Sequence, residues 1–106
     1  MARTLITMPR SAKPGEVIEI RTLIAHPMET GYRAGADGAL VPRNLIRRFT
    51  CHYDDVEIFS AELFPAVAAN PLITFFTVAT ASGVLHFNWQ GDHGFAQAES
   101  VPLTVA

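Results

Sequence analysis

The chain has 106 residues, of which 49% are hydrophobic and 17% charged, and a formal net charge of −2. That length supports one core and one domain over residues 1–106, and the apolar fraction excludes a disordered chain. The eight Lys and Arg residues form no block longer than Arg47-Arg48, so no basic field for nucleic acid exists. Charge falls below the roughly 25% of an ordinary soluble domain, which implies a small surface or one covered by a partner. No apolar run approaches the roughly 20 residues of a membrane span. The stretch Met1 to Pro9 lacks the apolar centre of a secretory signal, which taken alone predicts the cytoplasm.

Alternation of apolar and polar residues at period two recurs between turn signals along the chain. A first strand is expected over Thr4–Met8, closed by Pro9 and the Lys13-Pro14-Gly15 turn. A second runs Glu16–His26, with Ile18, Ile20, Thr22 and Ile24 on one face and a mixed face of Val17, Glu19, Arg21 and Leu23. Pro27 pushes the residue before it to extended geometry and ends the strand. Met28–Asn44 is rich in glycine and proline and reads as a long loop, with a tight hairpin at Ala36-Asp37-Gly38.

Leu45–Asp54 is the next strand, with Phe49, Cys51 and Tyr53 on one side and Arg48, Thr50 and His52 on the other. Val56–Leu63 follows a turn at Asp54-Asp55, and Leu72–Thr80 is strongly β-forming. From Gly83 a strand carries Leu85, Phe87 and Trp89 inward, and after a Gly91-Asp92-His93-Gly94 turn the last strand spans Phe95–Val105. About seven strands with turns roughly every ten residues predict an all-β, immunoglobulin-like β-sandwich.

Catalytic and metal chemistry find little support. Cys51 and His52 are neighbours on a strand, so they point to opposite faces and cannot grip one ion. The four histidines read as solvated surface groups, with no zinc-like spacing among them. Cys51 sits in the apolar stripe, where a thiol behaves as a small inert hydrophobe. No serine lies in a Gly-x-Ser-x-Gly turn, and the glycine-rich stretch lacks the Gly-Lys-Ser/Thr of a phosphate cradle. The expectation is a protein with no catalytic residue, cofactor or metal.

Two stretches read instead as binding surface. Phe64 to Ala69 is apolar where a connecting loop is normally polar, so it either tucks under the core or covers a partner, with Phe64, Pro65 and Val67 as interface candidates. In the long loop, Met28, Glu29, Thr30, Gly31, Tyr32 and Arg33, and then Val41, Pro42 and Arg43, combine residue types enriched at protein interfaces with a glycine-freed backbone.

His26-Pro27-Met28-Glu29-Thr30-Gly31-Tyr32-Arg33, then Gly38-Ala39-Leu40-Val41-Pro42-Arg43 and Ile46-Arg47-Arg48-Phe49-Thr50-Cys51, resembles the signature region of the SoxZ family. The likeness extends to Pro9–Glu16, Pro65-Ala66-Val67, Asn70-Pro71 and Phe87-Asn88-Trp89, covering nearly the whole chain in order. The resemblance implies an immunoglobulin-like, non-catalytic subunit of the SoxYZ carrier complex of the thiosulfate-oxidising Sox system. Its partner in a heterodimer would be a SoxY-like chain, which holds the sulfur adduct on a cysteine in a flexible glycine-rich arm. Ser100–Ala106 contains neither such an arm nor a cysteine, so the likeness is to the partner subunit and Cys51 is not the carrier thiol.

The resemblance further implies transient contact with other Sox enzymes. It also implies a periplasmic location reached by export with the signal-bearing partner, which reverses the reading of Met1–Pro9. Arg33, Arg43, Arg47 and Arg48 would then meet partner carboxylates or anionic sulfur groups, with ordinary solvated charges as the alternative. When isolated, the chain is expected to self-associate as a homodimer. Two rivals remain open: a free-standing ligand- or protein-binding sandwich, and a thiol enzyme using Cys51.

Overall fold

The computed structural model describes residues 2–106. Its strands are β1 (Thr4–Thr7), β2 (Ser11–Ala12), β3 (Val17–Ile24), β4 (Ile46–Tyr53), β5 (Val56–Glu62), β6 (Leu72–Val78), β7 (Gly83–Gly91) and β8 (Ala96–Val105). A single 3-10 turn, Asp92–Gly94, joins β7 to β8. They form a three-stranded sheet in the order β1-β3-β6 and a five-stranded sheet in the order β2-β8-β7-β4-β5. The pairings are antiparallel except β2 with β8, whose two-residue parallel bridge brings the count to eight. Two residues are too few to show a period, which is why β2 left no sequence signal.

The core lies between the sheets, as the alternation required. From the smaller sheet Ile18, Ile20, Thr22, Ile24 and Phe75 point inward. From the larger come Phe49, Cys51, Leu85, Phe87, Trp89 and Leu103. Phe49 is the hub, its ring lying 5.2 Å from Trp89, 6.0 Å from Phe59 and 6.1 Å from Phe75. Phe59 stacks on Phe75 at 4.4 Å and so joins the two sheets near their β5 and β6 edges. The Thr22 hydroxyl, fully inside, donates to the Ile73 carbonyl at 3.2 Å, which removes the cost of burying it. Trp89 and Phe87 are core residues, as their alternation indicated.

Cys51 is wholly buried, and burial pushes its thiol up to about 12. A thiol held that far from ionisation is no nucleophile near neutral pH. At Gly91 the chain must pass close to β4: an added Cβ would lie 2.3 Å from the Leu45 carbonyl oxygen. This is where the β4–β7 register shifts between Ile46 and Arg48.

The segment expected as an open loop, Met28–Asn44, is a paired arm. Glu29 and Asn44 exchange both backbone hydrogen bonds at 2.8 Å, Val41 N–H donates to Arg33, and Gly35 N–H to Ala39. Bridges Glu29–Asn44 and Ala34–Leu40 differ in register by one residue. Gly31, at φ 90°, lies between them, and a Cβ there would meet the Arg43 Cβ at 3.1 Å. The Ala36-Asp37-Gly38 tip turns as the sequence indicated, with Asp37 Oδ1 accepting from Ala39 N–H and Gly38 at φ 81°. Extents of 58 × 20 × 20 Å and a radius of gyration of 16.1 Å fit a narrow sandwich with such an arm, against about 13 Å for a compact chain of this length.

Candidate partner interface

The arm is anchored by side chains that local sequence marked only as polar or flexible. His26 is buried, which corrects its reading as a solvated histidine. Its Nδ1 accepts from Met28 N–H at 3.0 Å, so the neutral ring carries its proton on Nε2. Nε2 has no hydrogen-bond partner among the described residues, and the ring packs edge-on against Phe95 at 5.0 Å. Burial lowers the His26 pKa, with the Asp92 charge opposing that shift. Met28, placed by sequence among the surface candidates, is 4% exposed. Its backbone takes φ 51°, and its Sδ accepts from Ile46 N–H at 3.3 Å. It roots the arm in the core, because the tight turn after His26 aims its side chain inward.

Beyond this root the remaining candidates separate. Glu29 pairs with Arg33 at 2.6 Å, and the hydrogen bond from Arg33 holds the Glu29 carboxyl below its ordinary range. Thr30 Oγ1 accepts from Tyr32 N–H, and Tyr32 stands 82% exposed with no part in the core. At the other end Arg43 bonds Asp92 at 2.9 Å, and Arg47 reaches the same carboxylate oxygen at 3.8 Å. Burial alone would raise the Asp92 pKa. The Leu45 amide and Arg43 outweigh it by hydrogen bonding, helped by the charges of Arg43 and Arg47, and the net direction is downward. His93 Nε2 lies 2.7 Å from the Arg43 carbonyl, so the β7–β8 turn clasps the base of the arm.

Phe64 and Pro65 come together with Arg43, Arg47, Arg48 and Glu62 around an open cleft of about 270 Å³. Val67 does not join them; it is half-buried and packs against the core. Val41 is half-buried on the arm, and Pro42 is exposed. Of the arginines, Arg33 and Arg43 are engaged in close ion pairs, while Arg47 and Arg48 make only 3.8 Å contacts, the latter with Glu57.

The surface that sequence reasoning left as a mixed strand face is more telling. Leu5, Leu23 and Leu72 are direct cross-strand neighbours on the outer side of the three-stranded sheet. Val17 pairs with Val78 on the same side, and Phe76 lies opposite Glu19. All six apolar side chains are exposed, Leu72 and Phe76 by 65% and 62%. They fall into two groups, the Leu5-Leu23-Leu72 row and the cluster of Phe76, Val17 and Val78, divided by the Thr7-Arg21-Thr74 row, where Arg21 pairs with Glu19 at 2.5 Å. Their signal was present as alternate apolar residues in β3 and β6, but only strand order shows that they share one face.

The outer side of the five-stranded sheet has the opposite character. Thr50, His52, His86, Asn88 and Ser100 occupy its centre, with His86 Nδ1 lying 2.9 Å from the Ser100 hydroxyl. Among the described residues no group of three or more His, Cys, Asp or Glu side chains is placed to hold a metal ion. No helix among them is long and apolar enough to cross a membrane.

Solved structures share this architecture. The superoxide reductase (neelaredoxin) from Ignicoccus hospitalis is similar at TM-score 0.74 and 19% identity, over 97% of this chain and 80% of that one. The sulfur carrier protein SoxY from Chlorobium limicola f thiosulfatophilum is similar at TM-score 0.67 and 12% identity, over 97% and 78%. A putative superoxide reductase from Thermotoga maritima is similar at 0.64 and 17%, over 97% and 85%. At such identities the likeness concerns the fold. None of the curated proteins compared with the chain matches it significantly. The family model for the sulphur oxidation protein SoxZ matches residues 6–102, nearly the whole sequence, and the chain therefore belongs to the SoxZ family.

Proposed function

We propose that this chain is the non-catalytic subunit of a SoxYZ carrier complex, pairing as a heterodimer with a SoxY-like chain that bears the sulfur-carrying cysteine. The observation that carries this reading is the exposed apolar face of Leu5, Leu23, Leu72, Phe76, Val17 and Val78. An exposed apolar sheet face is unfavourable in water and is stabilised by covering it, at about 25 cal/mol for each Å² removed from solvent. Membership of the SoxZ family supplies the class of partner. The subunit would stabilise the carrier chain and help present its arm to the other Sox enzymes, which it would meet only transiently.

The arm and the cleft at its base suit that second task. Tyr32 and Leu40 are exposed anchors on a hydrogen-bonded support, and Arg47 and Arg48 have donors to spare beside Phe64 and Pro65. Cys51, the only thiol in the sequence, is buried and un-ionised, which supports a non-catalytic role. The complex would work in the periplasm, crossing the membrane with the signal of its partner.

Co-expression with a SoxY-like chain, followed by measurement of complex mass, tests the reading. A one-to-one complex is expected. Two separate monomers would overturn it in favour of a free-standing binding domain.

A further inference from the structure

β6 ends the three-stranded sheet and pairs, among the described strands, with β3 alone. Its other side therefore presents a row of N–H and C=O groups without strand partners. Proteins normally guard such an edge with charge, proline, a bulge or shortness. The other edges show these devices. β1 has four residues and β2 two, while β5 carries Glu57 and Glu62 and a register shift against β4 at Cys51/His52. β6, Leu72-Ile73-Thr74-Phe75-Phe76-Thr77-Val78, has seven residues and none of the guards. Alongside it runs an open groove of about 550 Å³ lined by Val56, Ile58, Thr77 and Val78, so the edge is approachable from its inner side.

We infer that β6 is a self-pairing edge through which two copies of the isolated chain join antiparallel about a two-fold axis, fusing two three-stranded sheets into one of six strands. Self-complementarity favours a second copy as the occupant. With the axis at Phe75, Leu72 lies opposite Val78 of the second copy and Thr74 opposite its Phe76. Apolar and β-branched side chains then meet, and no like charges face each other. The apolar rows on the outer sides of the two sheets also become continuous across the seam. The inference concerns the chain alone and depends on its edge, not on recognition of a carrier chain.

Sedimentation of the purified chain from low micromolar to millimolar concentration, with amide hydrogen exchange at both ends of that range, tests it. The expected result is a concentration-dependent dimer in which alternate β6 amides gain protection while those of β1 and β5 do not. Thr77→Lys would set a charge opposite Ile73 of the second copy and should weaken association by about tenfold or more, whereas Thr77→Val should leave it unchanged. A chain monomeric throughout, a dimer protected at β1 or β5 instead, or a folded Thr77→Lys chain that dimerises as tightly would overturn the inference. If Thr77→Lys fails to fold, the exchange pattern of the unaltered chain decides.

Discussion

The outer faces of the two sheets are built by the same alternation and yet have opposite chemistry. On the five-stranded sheet the residues that point away from the core are mostly polar or small, from Thr50 and His52 through His86 and Asn88 to Ala98 and Ser100, with Val84 opposite Pro102 as the apolar exception. On the three-stranded sheet the outward positions hold Leu5, Leu23, Leu72, Val17, Val78 and Phe76 beside Thr7, Glu19, Arg21 and Thr74. An antiparallel sheet with one solvated face needs apolar residues on one side only. The larger sheet meets that minimum. The smaller carries apolar side chains on a second side that its own fold does not use, and this contrast, more than any single residue, supports the proposal that this face meets a partner.

The contrast can be broken by exchanging character. Leu5→Glu and Leu23→Glu place carboxylates in the leucine row of the apolar face, on β1 and β3 and not on the β6 strand itself. Each should weaken binding of a SoxY-like chain by about 30-fold or more, read by calorimetry, with little change in thermal stability. Asn88→Glu on the opposite sheet should leave affinity within a factor of about two. Equal losses from both faces would remove the reason to distinguish them.

A smaller effect concerns the inner side of β4, whose outer side is polar. Cys51→Ala removes one buried sulfur beside Phe49, and should cost about 1 kcal/mol in denaturant unfolding. Sulfur carriage by the complex should survive. Loss of carriage with the fold intact would instead assign Cys51 a chemical role that its burial argues against.

The smallest effect sharpens the comparison between the core and the arm. His26 is held neutral by burial, so the unfolded chain binds its proton more readily than the folded one. Stability from this group is full above the ordinary value of 6.5 and declines as pH falls below it toward the lowered folded value. Glu29 and Asp92, lowered from 4.5 and 3.8, add a further decline only in more acid solution. Thermal unfolding between pH 7 and about pH 5 should therefore fall with acid in the unaltered chain. The slope should flatten in His26→Asn, whose side-chain oxygen can still accept from Met28 N–H. An unchanged slope would place the titration elsewhere.

Most of the strands were legible from the sequence, and for one reason: a sheet with a buried face repeats every two residues. Ile18, Ile20, Thr22 and Ile24, or Leu85, Phe87 and Trp89, announce their own direction without any knowledge of their neighbours. The apolar stripe also placed Cys51 correctly. The long motif from His26 to Cys51 carried the family. What failed was whatever depends on residues far apart in the chain. His26 looked solvated because its burial is made by Phe95, and Met28 looked like surface because Ile46 encloses it. The loop Met28–Asn44 looked open because its two halves pair with each other and its base is held by Asp92 and His93.

The exposed apolar face is the plainest case. Local pattern determined that Leu5, Leu23 and Leu72 each lie in a strand, and alternation set the side each one takes. Only the order β1-β3-β6 put them in one row and left β6 with an open edge. Periodicity along a strand is a local property set by backbone geometry, whereas adjacency between strands is set by which faces the whole chain can bury together.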